Sequence, residues 1–160
     1  MNEKREDRIA MNYQTLIEQA EEMLEAEPWY VAAFSNISAL IMDMLPGLNW
    51  SGFYLARDGG LTVGPFQGKP ACIRIAAGKG VCGAAVAGDE TVVVPDVHLF
   101  PGHIACDTAS ESEIVIPIHD QDRIRGILDI DSPVKNRFTP EDRAGLEELV
   151  RKIEARVKWA

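Results

Sequence analysis

A chain of 160 residues is the length of one domain, enough to bury roughly two-thirds of its unfolded surface in one core. Its 46% hydrophobic and 26% charged residues exclude a disordered chain, and three cysteines are too few for a disulfide framework. A formal net charge of -9 opposes phosphate backbones and anionic lipid, so neither nucleic acid nor a membrane is expected as a partner.

The opening Met1-Asn2-Glu3-Lys4-Arg5 is charged and lacks the apolar core of a signal peptide, and no apolar run approaches the ~18 residues of a membrane span. This predicts a cytoplasmic, thiol-reducing setting, where cysteines serve catalysis, redox exchange or metals more often than structural bridges. Residues 13–26 carry Leu16, Ile17, Ala20, Met23 and Leu24 at helical spacing, with glutamates on the opposite side. Pro28 is placed in the first turn of a second helix, which runs through Leu40 and Met44 and stops before Pro46-Gly47.

Residues 50–55 and 61–66 flank Asp58-Gly59-Gly60, the pattern of a β-hairpin. A further strand is expected over 71–77, a small-residue helix over 81–87 and a short strand over 91–94. Residues 114–118 and 123–130 form another hairpin around Asp120-Gln121-Asp122. Thr139-Pro140-Glu141-Asp142 joins an oxygen-bearing cap, a first-position proline and acids near the positive helix end, a strong helix start. Hairpins between terminal helices predict one α+β domain over 1–160, with 1–27 as a helical extension. Its sheet is mainly antiparallel, with the terminal helices on one face and the functional loops on the other.

Between the last two hairpins lies Gly102-His103-Ile104-Ala105-Cys106-Asp107, a stretch with neither helical nor alternating period and a thiol at its centre. Long loops in compact domains carry function. On the following hairpin Asp129 and Asp131 share a strand face, opposite Ile124, Leu128 and Ile130. A turn centred on Gln121 would set Glu113 across from Asp129. Such a cluster can hold a proton near neutral pH or receive an ammonium group, or it can be a solvated sheet rim; both readings stay open.

Cys72, Cys82 and Cys106 could exchange thiols, because a sulfenic acid condenses with a neighbouring thiol. Cys82, amid small residues, also fits as a core hydrophobe. A zinc site from the cysteines with His98 or His103 lacks close paired spacing, and no metal is expected. Gly78-Lys79-Gly80-Val81-Cys82-Gly83 has the glycines of a dinucleotide turn without a parallel βαβ unit around it, so no cofactor is expected either. Trp50 and Tyr54 share a strand face and suit either a pocket wall or plain core.

Together, Asn49-Trp50-Ser51-Gly52-Phe53-Tyr54, Gly64-Pro65-Phe66-Gln67-Gly68-Lys69 with Ala71-Cys72, Gly80-Val81-Cys82-Gly83, the Cys106 stretch and Leu128-Asp129-Ile130-Asp131-Ser132 closely resemble the free methionine-R-sulfoxide reductases, which have the GAF fold. The resemblance spans residues 33–150. It implies Cys106 as catalytic cysteine, Cys72 as resolving cysteine and Cys82 as a third that takes part in recycling. It further implies Glu113, Asp129 and Asp131 as active-site carboxylates and Trp50 and Tyr54 as pocket aromatics. The implied substrate is free methionine-(R)-sulfoxide, the implied reductant a thioredoxin-like dithiol and the implied assembly a homodimer. A non-catalytic GAF sensor and a simple thiol switch are the rival expectations.

Overall fold

Helix formers at the very start extend the first helix beyond its apolar stripe: α1 runs Asn2–Ala26, because the exposed Glu3, Lys4 and Arg5 favour helix. The computed structural model describes residues 2–103 and 106–160; Ile104 and Ala105, inside the cysteine loop, lie outside the described residues, as does Met1. The second helix, α2, spans Tyr30–Met44 and starts later than expected. Pro28 stays outside it because the chain there pairs with the C-terminal tail: Lys158 N donates to Pro28 O at 2.8 Å, and Tyr30 N to Lys158 O at 2.9 Å.

The first hairpin joins β1 (Trp50–Arg57) to β2 (Gly60–Gly68). Its turn residues Asp58 and Gly59 both have positive φ, 50° and 77°, which matches the twist of the flanking strands. The strand expected over 71–77 is only β3, Arg74–Ile75, since the chain before it is given over to a loop carrying Cys72. There follow α3 (Gly80–Gly88), β4 (Val92–Val94), a single 3-10 turn at Val97–Leu99, β5 (Ser112–Asp120), β6 (Arg123–Ser132) and α4 (Pro140–Arg156). The capping box of α4 forms as its sequence dictates, with Thr139 and Asp142 each bonded to the other's backbone N–H.

Among the described residues six antiparallel strands line up in the order β3-β2-β1-β6-β5-β4. One face is covered by α1, α2 and α4, which bury Leu16, Phe34, Ile37 and Leu146 against Phe53, Ile114, Leu128 and Ile130. Phe34 and Phe53 stack with ring centroids 3.9 Å apart, and burying such a side chain contributes about 1.5–3 kcal/mol. Ile124, expected on this face, is only partly buried, because it falls past an irregularity at Ile118/His119 beside the turn.

Between α1 and α4 the Tyr13 hydroxyl donates to Asp142 Oδ1 at 2.7 Å, and Arg137 pairs with the other carboxylate oxygen at 2.9 Å. Gly145 lets the helices approach, since a Cβ there would collide with the Tyr13 ring. The opposite face of the sheet carries a second core, in which Val81, Cys82 and Ala85 of α3 meet Trp50, Tyr54, Val115 and Ile127. Among the described residues no helix is long and apolar enough to cross a membrane.

Candidate active site

Strand alternation delivers Glu113, Asp129 and Asp131 to the α3 face, in a register that differs from expectation. Glu113 lies opposite Asp131, and Asp129 opposite Val115. The turn is the two-residue Gln121-Asp122, and the shift between Ile118 and His119 moves the pairing on, so the partner of Glu113 changes by two residues. Glu113 and Asp129 are each 6% exposed, whereas Asp131 is partly open.

Burial pushes the Glu113 carboxyl well above its ordinary range, helped by the charges of Asp129 and Asp131 and a hydrogen bond to Asp131. Burial also lifts Asp131 to about 7, although the Glu113 bond pulls it back. Glu113 therefore keeps a proton and donates it to Asp131. Burial and the charge of Asp131 raise Asp129, against a hydrogen bond from Cys82 that lowers it. Asp129 Oδ1 is buried with no hydrogen-bond partner among the described residues.

The thiols divide into a pair and a single. Cys72 and Cys106 form a disulfide with Cα atoms 5.6 Å apart, within the usual range for such bonds. Cys82 is free, buried beneath them in α3, and burial together with the surrounding carboxylates raises it well above an ordinary thiol. Tyr54 does more than wall the pocket: its hydroxyl donates to Cys72 O at 3.0 Å and so tethers the loop that carries that cysteine. Trp50 Nε1 holds the same loop through Lys69 O at 3.2 Å.

The other loop is anchored from β1. Asn49 Nδ2 donates to Asp107 Oδ2 and to Ser110 Oγ, both at 3.0 Å, while Val97 N donates to Glu111 O at 2.9 Å where the loop closes. The Ala109 N–H and the Asn49 amide hold the Asp107 carboxyl below its ordinary value. Asn49 and Ser110 were not singled out from the sequence. Asn49 had a signal in its place just before β1, but Ser110 is one of many polar loop residues.

The cysteine loop, the carboxylates and the first turn of α3 enclose one pocket, walled by Trp50 and Tyr54. Their rings stack at 5.8 Å, and Trp50 is backed by Phe66 at 5.1 Å. Gly68, at φ +133°, leaves room for the indole, which a Cβ there would strike. Lys79 is the lone lysine or arginine among the described lining residues, and His103 stands at the loop side. Cys82, Glu113 and Asp129 offer donor atoms within 4.8 Å of one another, a set suited to a cation, whether a metal or an ammonium group. The imagined zinc quartet does not assemble: two of its cysteines bond each other, and His98 lies 3.2 Å from Glu111.

Comparison with known proteins fits this arrangement. Residues 11–157 match the GAF domain family. The Escherichia coli K12 free methionine-R-sulfoxide reductase is 52% identical over 132 residues, covering 82% of this chain and 80% of that protein. This chain belongs to the free methionine-R-sulfoxide reductases. The Saccharomyces cerevisiae reductase is 41% identical over 155 residues, 89% of this chain and 86% of its own length. Among solved structures, the Staphylococcus aureus reductase in complex with its substrate has a TM-score of 0.87 and 50% identity, covering 92% and 96% of the two chains. The Neisseria meningitidis reductase with its substrate has a TM-score of 0.89 at 41% identity, covering 92% and 89%.

Proposed function

We propose that the protein reduces free L-methionine-(R)-S-oxide to L-methionine, with Cys106 as nucleophile and Cys72 as resolving thiol. The observation that carries this reading is Cys106, bonded to Cys72, lining a pocket with carboxylates that retain a proton. Sulfoxide oxygen leaves poorly until its charge is neutralised. The Glu113/Asp131 pair supplies the proton, and the Cys106 thiolate attacks sulfur. Attack joins the Cys106 sulfur to the substrate sulfur; the hydroxyl then passes to the Cys106 sulfur as the S–O bond and the new S–S bond break, so methionine departs with the electron pair and Cys106 is left as a sulfenic acid.

Cys72 then displaces that oxygen as water and closes the disulfide. A thioredoxin-like dithiol reopens it by exchange, itself becoming a disulfide. Cys82 would enter recycling only by exchange with one of these two sulfurs. Trp50 and Tyr54 receive the thioether carbons, since sulfur and methyl groups pack well on ring faces. Asp129, with an oxygen that has no hydrogen-bond partner among the described residues, suits the substrate ammonium.

A charge-assisted bond of that kind contributes roughly 1.5–3 kcal/mol, or about ten- to a hundredfold in affinity. Peptide-bound methionine sulfoxide lacks the ammonium. Steady-state rates for free R, free S and N-acetylated R sulfoxide with a dithiol reductant test the proposal. Turnover should be confined to the free R form; no turnover of it would overturn the reading, and equal rates on the acetylated form would show that no carboxylate reads the ammonium. A homodimer built on the terminal helices belongs to the same proposal, supported by Trp29, which is 48% exposed at their edge. A monomer mass by light scattering would remove it.

A further inference from the structure

The disulfide chemistry employs Cys72 and Cys106 and leaves Cys82 without a necessary part. Cys82 sits in the first turn of α3, 5% exposed, with its sulfur within 4.8 Å of a carboxylate oxygen of both Glu113 and Asp129. The thiol faces Asp129 as a donor: this keeps Cys82 neutral and pulls the Asp129 carboxyl down, against burial and the charge of Asp131, which still leave it raised. A thiolate at this position would face three acids in a dry environment, a poor setting for nucleophilic exchange.

As a donor the same thiol has a use. Glu113 and Asp131 satisfy each other through a shared proton. Asp129, 6% exposed, has Cys82, and its Oδ1 has no partner among the described residues. So enclosed an acceptor calls for a donor brought in from outside. The groups that face Asp129 mostly oppose its charge. Glu113 comes from β5, Asp131 from β6 and the Tyr54 hydroxyl from β1. Across the pocket stand Lys79 before α3 and, on the cysteine loop, His103 and Asp107. The Cys82 S–H is the donor that bonds Asp129 directly.

Resting on the reductase reading above, we propose that Cys82 is a positioning residue: its S–H donates to Asp129 and eases the ionisation of that carboxylate when the ammonium group of the free amino acid arrives. The three acids thereby divide their work. Glu113 and Asp131 keep the proton for the sulfoxide, and Asp129 is left to meet the cation.

Cys82→Ala and Cys82→Ser test this, each compared with the unaltered enzyme for free methionine-(R)-sulfoxide. Alanine should raise KM about tenfold with kcat within about twofold, because a lost bond to a buried charge is felt in binding. It should also move the acidic limb of kcat/KM upward by up to about one pH unit. Serine, which still donates, should restore both. A loss confined to multiple turnover, with Cys82 trapped in a mixed disulfide by mass mapping, would instead make it an exchange thiol and overturn the proposal. Equal losses in both variants with no pH displacement would reduce Cys82 to packing and overturn it too.

A readout independent of turnover separates this inference from the reductase reading. Infrared titration of the reduced protein follows the protonated-carboxyl band that Asp129→Asn removes. That band should persist to higher pH in Cys82→Ala than in the unaltered protein. If the unaltered protein reduces no sulfoxide, the reductase reading falls while the band still reports on the Cys82–Asp129 bond; a band that does not move in Cys82→Ala overturns the inference.

Discussion

Replacing Asp131 by asparagine should make the protein more stable and less active. A carboxyl that holds its proton more tightly in the folded chain contributes stability that is complete below its ordinary 3.8 and lost as the pH rises through about 7. By about pH 8 the full displacement from 3.8 to about 7 corresponds to ~4 kcal/mol. Glu113 shares the proton, so removing one partner releases only part, and we expect a gain of about 2 kcal/mol. For a chain of this length that raises Tm by about 4–8 °C. At about pH 5 the gain should be less than half as large, since most of the strain has yet to develop. Thermal and urea unfolding of both proteins, with Cys72 and Cys106 reduced throughout, measures it. Single-turnover reduction of the free R sulfoxide should fall by about a hundredfold or more, the usual share of a general acid. An asparagine variant that is no more stable at about pH 8, or equally affected at both pH values, would refute the reasoning.

Three further outcomes follow from other parts of the molecule. Cys72→Ser should leave the first turnover intact while multiple turnover with a dithiol collapses, and mass mapping of substrate-treated protein should find Cys106 oxidised without a partner; a Cys82–Cys106 bond in the unaltered protein would make the resolving assignment wrong. Tyr13→Phe removes the donor to buried Asp142 Oδ1 and should cost about 1–3 kcal/mol in urea unfolding, whereas a loss below about 0.5 kcal/mol would leave the α1–α4 contact to packing alone. Burial pulls His119 down, but its hydrogen bonds to Asp89 and Glu154 and their charges outweigh this and raise it above 6.5. Its stabilisation is therefore complete below pH 6.5 and lost as the pH rises through the raised value. The Tm difference from His119→Gln should shrink between about pH 6 and about pH 8.5, and a constant difference would show that protonation plays no part.

Local rules carried much of this architecture. Thr139-Pro140 marks the start of α4 because a cap needs only residues within one turn, and Asp58-Gly59 marks a hairpin because few residue types tolerate positive φ at both positions. Period-two alternation was enough to put Asp129 and Asp131 on one face. It did not set the partner of Glu113, since a one-residue irregularity at Ile118/His119 has no residue type that announces it. Pro28 was misplaced for a related reason: its carbonyl is claimed by Lys158, 130 residues away. The pairing of Cys72 with Cys106 across 34 residues came from the family likeness, not from spacing, and the Asn49–Ser110 contact, 61 residues apart, was visible in neither.

The sheet keeps two cores apart, and only one of them touches the pocket. Trp50, Tyr54, Ile75, Val81 and Cys82 belong both to the core on the α3 side and to the pocket wall. None of the described residues packed beneath α1, α2 and α4, from Tyr13 to Ile153, lines it. The strands thus act as a partition between a compartment that can drift and one that cannot. Sequence variation and engineered thermostability have free rein under the terminal helices, where a repacked Ile116 or Leu149 never meets the substrate. On the other side every gain in packing is also an alteration of the site, so there robustness and chemistry must evolve together.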